Sequence, residues 1–413
     1  MLTRRQFTAT LTGSLAAGLL GPALGVAQGA AIRIGSIFSY TGPAAFLGDR
    51  MKRSVELFVE ETNKRGGING RKIESIIYDA ASESTKAVLA AKRLIEQDQV
   101  EVIVGDGNRS DIGLALIPTV QRAEVPLMSV SGATGLVEPV RDRAWVFKST
   151  VNDTEVIARL LEFFKKRNIK DVAMLNDTEV VARLVDFFKK RNIKDVAMLN
   201  DTGAFGVSAR DQLRAQAPAA GINVTYEEFG PADTDLTTQL TRIRGTSAQA
   251  IICWTVTPAG VVFLKNAQQL GLKQMLVHGF GFVADRYMQL AGDAAEGLFL
   301  TSLKFPIAEQ LPDNDPIKAT ILDYKARYRA KFNEETDVYG GQAWDGIGMV
   351  TQAITRGGGS ERGKIRAGLE EHIRGYRGVG GIFNFSPQKH WGLAKSDVVM
   401  IEWRQGKFRL VDL

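Results

Sequence analysis

The chain has 413 residues, 45% hydrophobic and 24% charged, a globular composition long enough for two or three domains. Its 52 Lys and Arg against 46 Asp and Glu give a formal charge of +6, and the basic residues are spread rather than clustered, which argues against a nucleic-acid stripe. Beyond residue 30 no apolar run reaches the roughly 18 residues of a membrane span, and a single cysteine, Cys253, excludes an internal disulfide.

The first element is a leader. "TRRQF" (Thr3 to Phe7) sets two arginines before the apolar run "TATLTGSLAAGLLGPALGVA", the order of an export signal, and it resembles a twin-arginine signal. Residues 1–30 are therefore read as a cleaved signal, with "GVA" ending at Ala27 as the cleavage site, and the mature chain as periplasmic. No cysteine follows the signal to carry a lipid.

"AIRIGSIFSY" then reads as a buried strand, and a helix is predicted over about 49–64 with Met51, Val55, Leu57 and Phe58 inward. The glycines of "RGGINGRK" end it. "IESIIYDA", "VEVIVG", "VPLMSVS" and "AWVFKST" read as further strands, separated by the helices "STKAVLAAKRLIEQ" and "SDIGLALIPTVQRA", the latter capped by Ser110. Such alternation predicts a doubly wound α/β lobe with a parallel sheet.

After Thr150 the chain repeats itself. "NDTEVIARLLEFFKKRNIKDVAML" (152–175) is followed at once by "NDTEVVARLVDFFKKRNIKDVAML" (176–199), and the copies differ only at Ile157/Val181, Leu161/Val185 and Glu162/Asp186. A solenoid needs about three copies to bury a continuous core, so two copies read as one unit that has been doubled. Each copy encodes a helix with an apolar stripe (Val156, Ile157, Leu160, Leu161 and Phe164 in the first), basic residues in its last turn, and the strand "DVAML".

A second lobe follows. Helices are predicted over about 207–217, 236–244 and "AGVVFLKNAQQLG", strands at "INVTYEEF", "AIICWT" and "QMLVHGF", and a long helical stretch from about Pro316. "GGIFNFSP" is strand-like, and "DVVMIEWRQGKFRLV" reads as a hairpin turning at Gln405-Gly406.

Four stretches in order, "GPAAFLGDRMKRSVELFVEETNKRGGINGRKI", "VPLMSVSGATGL", "AGDAAEGLFL" and "FNFSPQKHWGL", resemble the type I solute-binding proteins of ABC importers, in the leucine/isoleucine/valine-binding group. The resemblance covers nearly the whole mature chain. It implies two doubly wound parallel-sheet α/β lobes joined by three crossover strands, with the ligand between them. The expected division is 31–150 plus 304–380 for the N-terminal lobe and 151–303 plus 381–413 for the C-terminal lobe, the latter holding both repeat copies.

The resemblance also implies a site. Ser110 and the loop Gly132-Ala133-Thr134 match the family's carboxylate clamp, consistent with the affinity of helix N-termini and hydroxyls for anions. The alternative is that Ser110 is only an N-cap and Thr134 only a turn residue. Phe280 stands where the amino-acid binders place an acid for the ligand ammonium, and Leu47 where they place a tyrosine over the side-chain pocket. Phe205 keeps the aromatic of the second lobe's first loop, with Trp254 and Val256 at a strand end facing the cleft. Asp153 is a candidate ammonium partner within the repeat.

The expected function is carriage of a small carboxylate, aromatic or otherwise apolar, to ABC permease subunits in the inner membrane, by a monomer that needs no cofactor or metal. The alternatives are a branched-chain amino acid-binding protein and a ligand-sensing subunit of a membrane receptor. An enzyme is not expected: His278, His372 and His390 are far apart, no HExxH, GxSxG or Walker A motif occurs, and Cys253 reads as core. His390 reads as a loop hydrogen bond rather than a ligand contact.

The family carries one helix-plus-strand unit where this chain has two. The second copy, joined to the Phe205 loop, is expected to supply the central strand, with the first looped out or packed as an added helix on the rim. A slipped arrangement, in which copy one supplies the helix or the strand and copy two bulges, is the alternative. The extra unit reads as an insertion without function of its own; the other reading is an added surface for a partner.

Overall fold

A computed structural model describes residues 29–42, 45–166 and 195–411. Residues 1–28, most of the segment read as an export signal, and residues 167–194 of the repeat lie outside the described residues. No helix among the described residues is long and apolar enough to cross a membrane.

The first sheet is built from β1 (Ile32–Phe38), β2 (Ile73–Asp79), β3 (Val102–Val104), β4 (Leu127–Ser129) and β5 (Val146–Lys148). Its order is β2-β1-β3-β4-β5, and every pair is parallel. Successive side chains of a strand point to opposite faces. Ile103 and Leu127 therefore join one buried cluster, while Val102, Val104 and Met128 join the other. Both faces are covered, which is why these strands read as continuous apolar runs. α1 (Ala45–Lys64) lies on one face, and α2 (Ser84–Glu96) and α3 (Ser110–Arg122) on the other. α1 begins four residues earlier than the apolar stripe suggested.

The second sheet repeats that winding. α4 (Asp153–Lys166), β6 (Asp195–Asp201), α5 (Ala204–Gln216), β7 (Asn223–Phe229), α6 (Thr237–Arg244), β8 (Ala250–Trp254), α7 (Ala259–Gln269), β9 (Met275–His278), α8 (Asp285–Ala291) and β10 (Phe299–Leu303) follow in order. The strands run β7-β6-β8-β9-β10, the same relative order as the first five.

The long helical stretch is three helices, α9 (Lys318–Phe332), α10 (Val338–Gly357) and α11 (Arg362–His372). Asn333 ends the first at φ 53°. Asp337 caps the second by accepting from the Tyr339 and Gly340 amides at 3.0 and 3.1 Å. α10 returns the chain to the first sheet: a Cβ on its Gly346 would lie 3.1 Å from Met128 and 3.3 Å from Val104. A short ribbon, β11 (Tyr376–Arg377) with β12 (Ile382–Phe383), leads back to the second sheet. There β13 (Val398–Arg404) and β14 (Lys407–Leu410) add an antiparallel hairpin. Its turn residues Gln405 and Gly406 both have positive φ, 52° and 71°, as a type I′ turn requires. The chain thus passes between the sheets three times, after β5, after β10 and before β13.

The repeat is divided between its copies. α4 comes from the first copy and β6 from the second. The first copy is therefore not looped out or set on a rim as expected: its helix packs on α5, β10 and β13, and buries Val156, Ile157, Leu160, Leu161, Phe163 and Phe164. The physical reason is that both ends of the unit are pinned. The start of α4 is tied to β5 through the buried residues Ser149, Thr150, Asn152 and Asp153. The end of β6 is tied to α5, because Asp201 accepts from the Gly203 amide at 2.9 Å and from the Thr255 hydroxyl. The added length therefore falls between Lys166 and Asp195. That junction is at the amino end of β6, away from the strand ends that hold the site.

Candidate functional site

A cavity lies between the two sheets. Its walls come from segments that leave the carboxyl ends of strands: Asn108 to Ser110 after β3, Val130 to Gly132 after β4, Phe205 after β6, Val256 after β8, and Phe280 with Gly281 after β9. This is where open α/β sheets bind ligands, next to the strand pairs β1/β3 and β6/β8 at which the winding reverses. Tyr339 and Gln342 of α10 complete the wall.

One end of the cavity suits an anion. α3 starts there, and the amides of a helix's first turn have no partners within the helix. Ser110 is the first residue of α3 rather than its cap; Arg109 holds the cap position, with no side-chain capping bond. Freed from capping, the Ser110 hydroxyl oxygen accepts from the Ala133 amide at 3.1 Å, and its proton is left to donate. Arg109 lines the same wall and is held by Asp111 through two bonds of 3.0 and 2.8 Å. No Asp or Glu lines the cavity among the described residues.

The other part is apolar. Phe205 and Phe280 meet edge to face with ring centroids 5.4 Å apart, and Trp254 packs behind both at 5.8 and 6.2 Å. Phe205 sits in the first turn of α5, not in the loop before it, because the helix starts three residues earlier than predicted.

The two halves touch across this cavity. A Cβ on Gly132 would lie 2.6 Å from the Phe205 ring and 2.7 Å from the Phe280 ring, so only glycine lets these walls meet. The Thr134 amide donates to Ser208 Oγ of α5 at 3.1 Å, and the Tyr339 hydroxyl donates to the Gly281 carbonyl. Phe46 of α1 meets Tyr287 of α8 edge to face at 5.2 Å.

A buried charge cluster backs the anion end. Lys148 is fully buried, and its ammonium donates to the carbonyls of Gly132 and Ala133 at 2.8 and 2.9 Å and to Asn152 Oδ1. Burial pulls the Lys148 ammonium down and pushes the neighbouring Asp153 carboxyl up, each opposed by the other's charge. Asp106 accepts from the hydroxyls of Ser129 and Ser131, and burial raises it to about 6.

Of the sequence-predicted residues, Ser110, Gly132, Phe205, Val256 and Phe280 line the cavity together. Leu47 does not: α1 has already begun at Ala45, so Leu47 lies on the helix's buried face at 0% exposure. Trp254 is also fully buried, behind the two phenylalanines. Ala133 and Thr134 are next to the wall but not in it, with their amides engaged by Ser110 and Ser208. Asp153 faces Lys148 and not the cavity, so it offers a ligand ammonium nothing.

The sequence reading missed Asn108, Arg109, Val130, Ser131, Gly281, Tyr339 and Gln342. "GDGNRS" carried a signal for the first two, since Gly105, Gly107 and Asn108 all have positive φ and turn the loop inward. Tyr339 and Gln342 reach the site from α10, remote in sequence, and no local pattern marks them.

His278, His390 and the cysteine are structural. His390 stacks on Phe147 at 4.0 Å, with its Nδ1 3.0 Å from the Val146 carbonyl, the loop bond expected for it. His278 stacks on Phe282, and burial pulls it down to about 3. Burial raises the Cys253 thiol well above its ordinary range, so it is not a ready nucleophile.

A family profile described as "Periplasmic binding protein" matches residues 31–407. The Leu/Ile/Val-binding protein homolog 3 of Brucella melitensis is 26% identical over 339 residues, 80% of each chain. Among solved structures, an extracellular ligand-binding receptor from Rhodopseudomonas palustris HaA2 aligns with a TM-score of 0.81 at 24% identity, over 92% of this chain and 99% of its own. A solute-binding protein of an ABC transporter from Rhodopseudomonas palustris BisB5, in complex with 3,4-dihydroxybenzoic acid, aligns at 0.73 and 19% identity, over 93% of this chain and 96% of its own.

Proposed function

The chain belongs to the periplasmic binding protein family, and from that premise we propose that it captures a small aromatic or apolar carboxylate between its lobes and presents it to an ABC permease. The observation that carries this is the cavity's composition. One wall holds the start of α3, the Ser110 hydroxyl and Arg109, the opposite wall holds Phe205 and Phe280, and no acid is among its lining residues, the aspartates Asp111 and Asp201 lying in an adjoining pocket that shares Arg109, Ser110, Phe205 and Val256.

An α-amino acid brings an ammonium as well as a carboxylate. Burying that charge without a carboxylate partner costs several kcal/mol. A plain carboxylate meets the Ser110 hydroxyl and Arg109 at one end and apolar surface at the other.

The lobes, taken as 31–150 with 304–380 and 151–303 with 381–413, would open about the three crossovers and close on the ligand. The contacts between Gly132 and the two phenylalanine rings belong to the closed form. The permease is read from the family, whose solute-binding members serve ABC importers. Export as a periplasmic protein through the twin-arginine leader remains the reading of residues 1–30.

The second reading is a branched-chain amino acid receptor, favoured by the Leu/Ile/Val-binding relative and by the apolar wall. Calorimetric titration with benzoate, cinnamate, leucine and isoleucine separates the two. Micromolar leucine with silent aromatic acids would replace the first reading by the second.

A further inference from the structure

We infer that the cavity holds a neutral polar subsite, formed by Asn108 and Gln342, that selects an acid bearing a hydroxyl group over the same acid without one. The inference rests on the carboxylate reading above. Both residues line the cavity, and they are only 5% and 4% exposed. Each has one amide end tied down and the other idle. Asn108 Nδ2 donates to the Ser39 carbonyl at 3.3 Å, and Asn108 Oδ1 has no partner. Gln342 Nε2 donates to Thr150 Oγ1 at 2.9 Å, and Gln342 Oε1 has no partner.

For Asn108 this orientation is forced. The Ser39 carbonyl can only accept, so the amide nitrogen must face it and the oxygen is the free end. Thr150 can donate or accept, so Gln342 can present either end of its amide. Buried polar groups of this kind normally have partners. Two of them idle in one cavity indicate that the ligand supplies what is missing, at least one hydrogen-bond donor.

The donor is a hydroxyl rather than an ammonium. Amide oxygens carry no net charge, and Arg109 is the one charged residue lining the cavity among those described. The Asp111 carboxylate is already engaged by Arg109, so a cation placed there would find no free carboxylate among the lining residues. A hydroxyl donates to Asn108 without bringing charge, and it can also meet whichever end of Gln342 faces it.

The test is calorimetry on the full mature chain with benzoate, the three monohydroxybenzoates and leucine as probes. At least one hydroxybenzoate should bind roughly tenfold more tightly than benzoate, the size of one good hydrogen bond. In Asn108→Leu and in Gln342→Met that ratio should fall toward one; the comparison in the unaltered protein stands even if a variant folds poorly. Benzoate binding with no gain from any hydroxyl, or a gain kept in both variants, overturns the subsite alone. Leucine binding more tightly than every benzoate overturns the subsite and the aromatic reading together.

Discussion

Lys148 Nζ lies 2.8 Å from the carbonyl oxygen of Gly132, so the only fully buried ammonium described here is spent on the loop that walls the cavity. Lys148 ends β5, and the crossover to α4 starts at the next residue. One side chain therefore ties the anion end of the cavity to the crossover residue Asn152, and its charge opposes that of the buried Asp153 nearby.

Replacing Lys148 by Met should leave Asp153 buried without its countercharge and free the carbonyls of Gly132 and Ala133. Breaking a buried pair from one side typically costs about 3–5 kcal/mol. Urea denaturation should show a loss of that order, and adding Asp153→Asn should recover part of it. Full additivity of the two changes would mean that the residues are not coupled.

Gly132→Ala tests the closed form. A methyl group at that position would sit 2.6–2.7 Å from two aromatic rings, too close for any real contact. The rings belong to the opposite lobe, so the open form tolerates the methyl and the closed form does not. Ligand affinity should fall at least tenfold, with little change in the unfolding midpoint of the ligand-free protein. Small-angle scattering should show the ligand no longer compacting the variant. An unchanged affinity would mean that these walls do not meet in the bound state.

Asp345 supplies a pH-dependent prediction. It is fully buried on α10 and accepts from the Val379 and Gly380 amides, both at 2.8 Å, at the start of the third crossing. Burial raises its carboxyl to about 7. A carboxyl raised on folding holds its proton in the native state while the unfolded chain has lost it. Between the unfolded value near 4 and about 7 the native state binds more protons, so this group's contribution to stability falls as pH rises. Asp345→Asn cannot titrate. Its deficit against the unaltered protein should therefore be smaller at pH 8 than at pH 5 in thermal melts. A deficit that grows with pH would mean that the carboxylate is the favoured native form.

Much of this was readable in the sequence, and the failures have physical causes. The strands were clear because parallel strands buried on both faces are unbroken apolar runs, as in Ile103 and Leu127 against Val102 and Met128. Gly132 and Phe280 came from the family resemblance, and Val256 from its place at a strand end, where open sheets turn residues toward the ligand. Leu47 was misplaced by a helix start: four residues of error turned a loop residue into a core residue. Tyr339 and Gln342 come from a helix whose glycines and apolar residues announce packing, and only the tertiary fold aims them at the cavity.

The doubled unit gives the last prediction, and the structure sharpens it into a ranking. Excising Asn176–Leu199 rejoins Leu175 to Asn200 and leaves α4 as it stands, with the identical "DVAML" following after the four residues 167–170. Excising Asn152–Leu175 instead gives the same lengths but hands the α4 position to the second copy. Ile157 and Leu161, 0% and 5% exposed, then become valines. Each loss of a buried methylene costs about 1 kcal/mol. Glu162, which bridges Arg159 at 3.2 Å and Lys395 at 3.1 Å, becomes a shorter aspartate. Both shortened proteins should fold and bind the same ligand, because the junction is at the end of the sheet away from the cavity. The first should melt at or above the temperature of the parent, and the second several degrees below the first. Equal melting temperatures would mean that α4 is not held by the first copy, and loss of ligand binding in both would mean that the added unit supports the site.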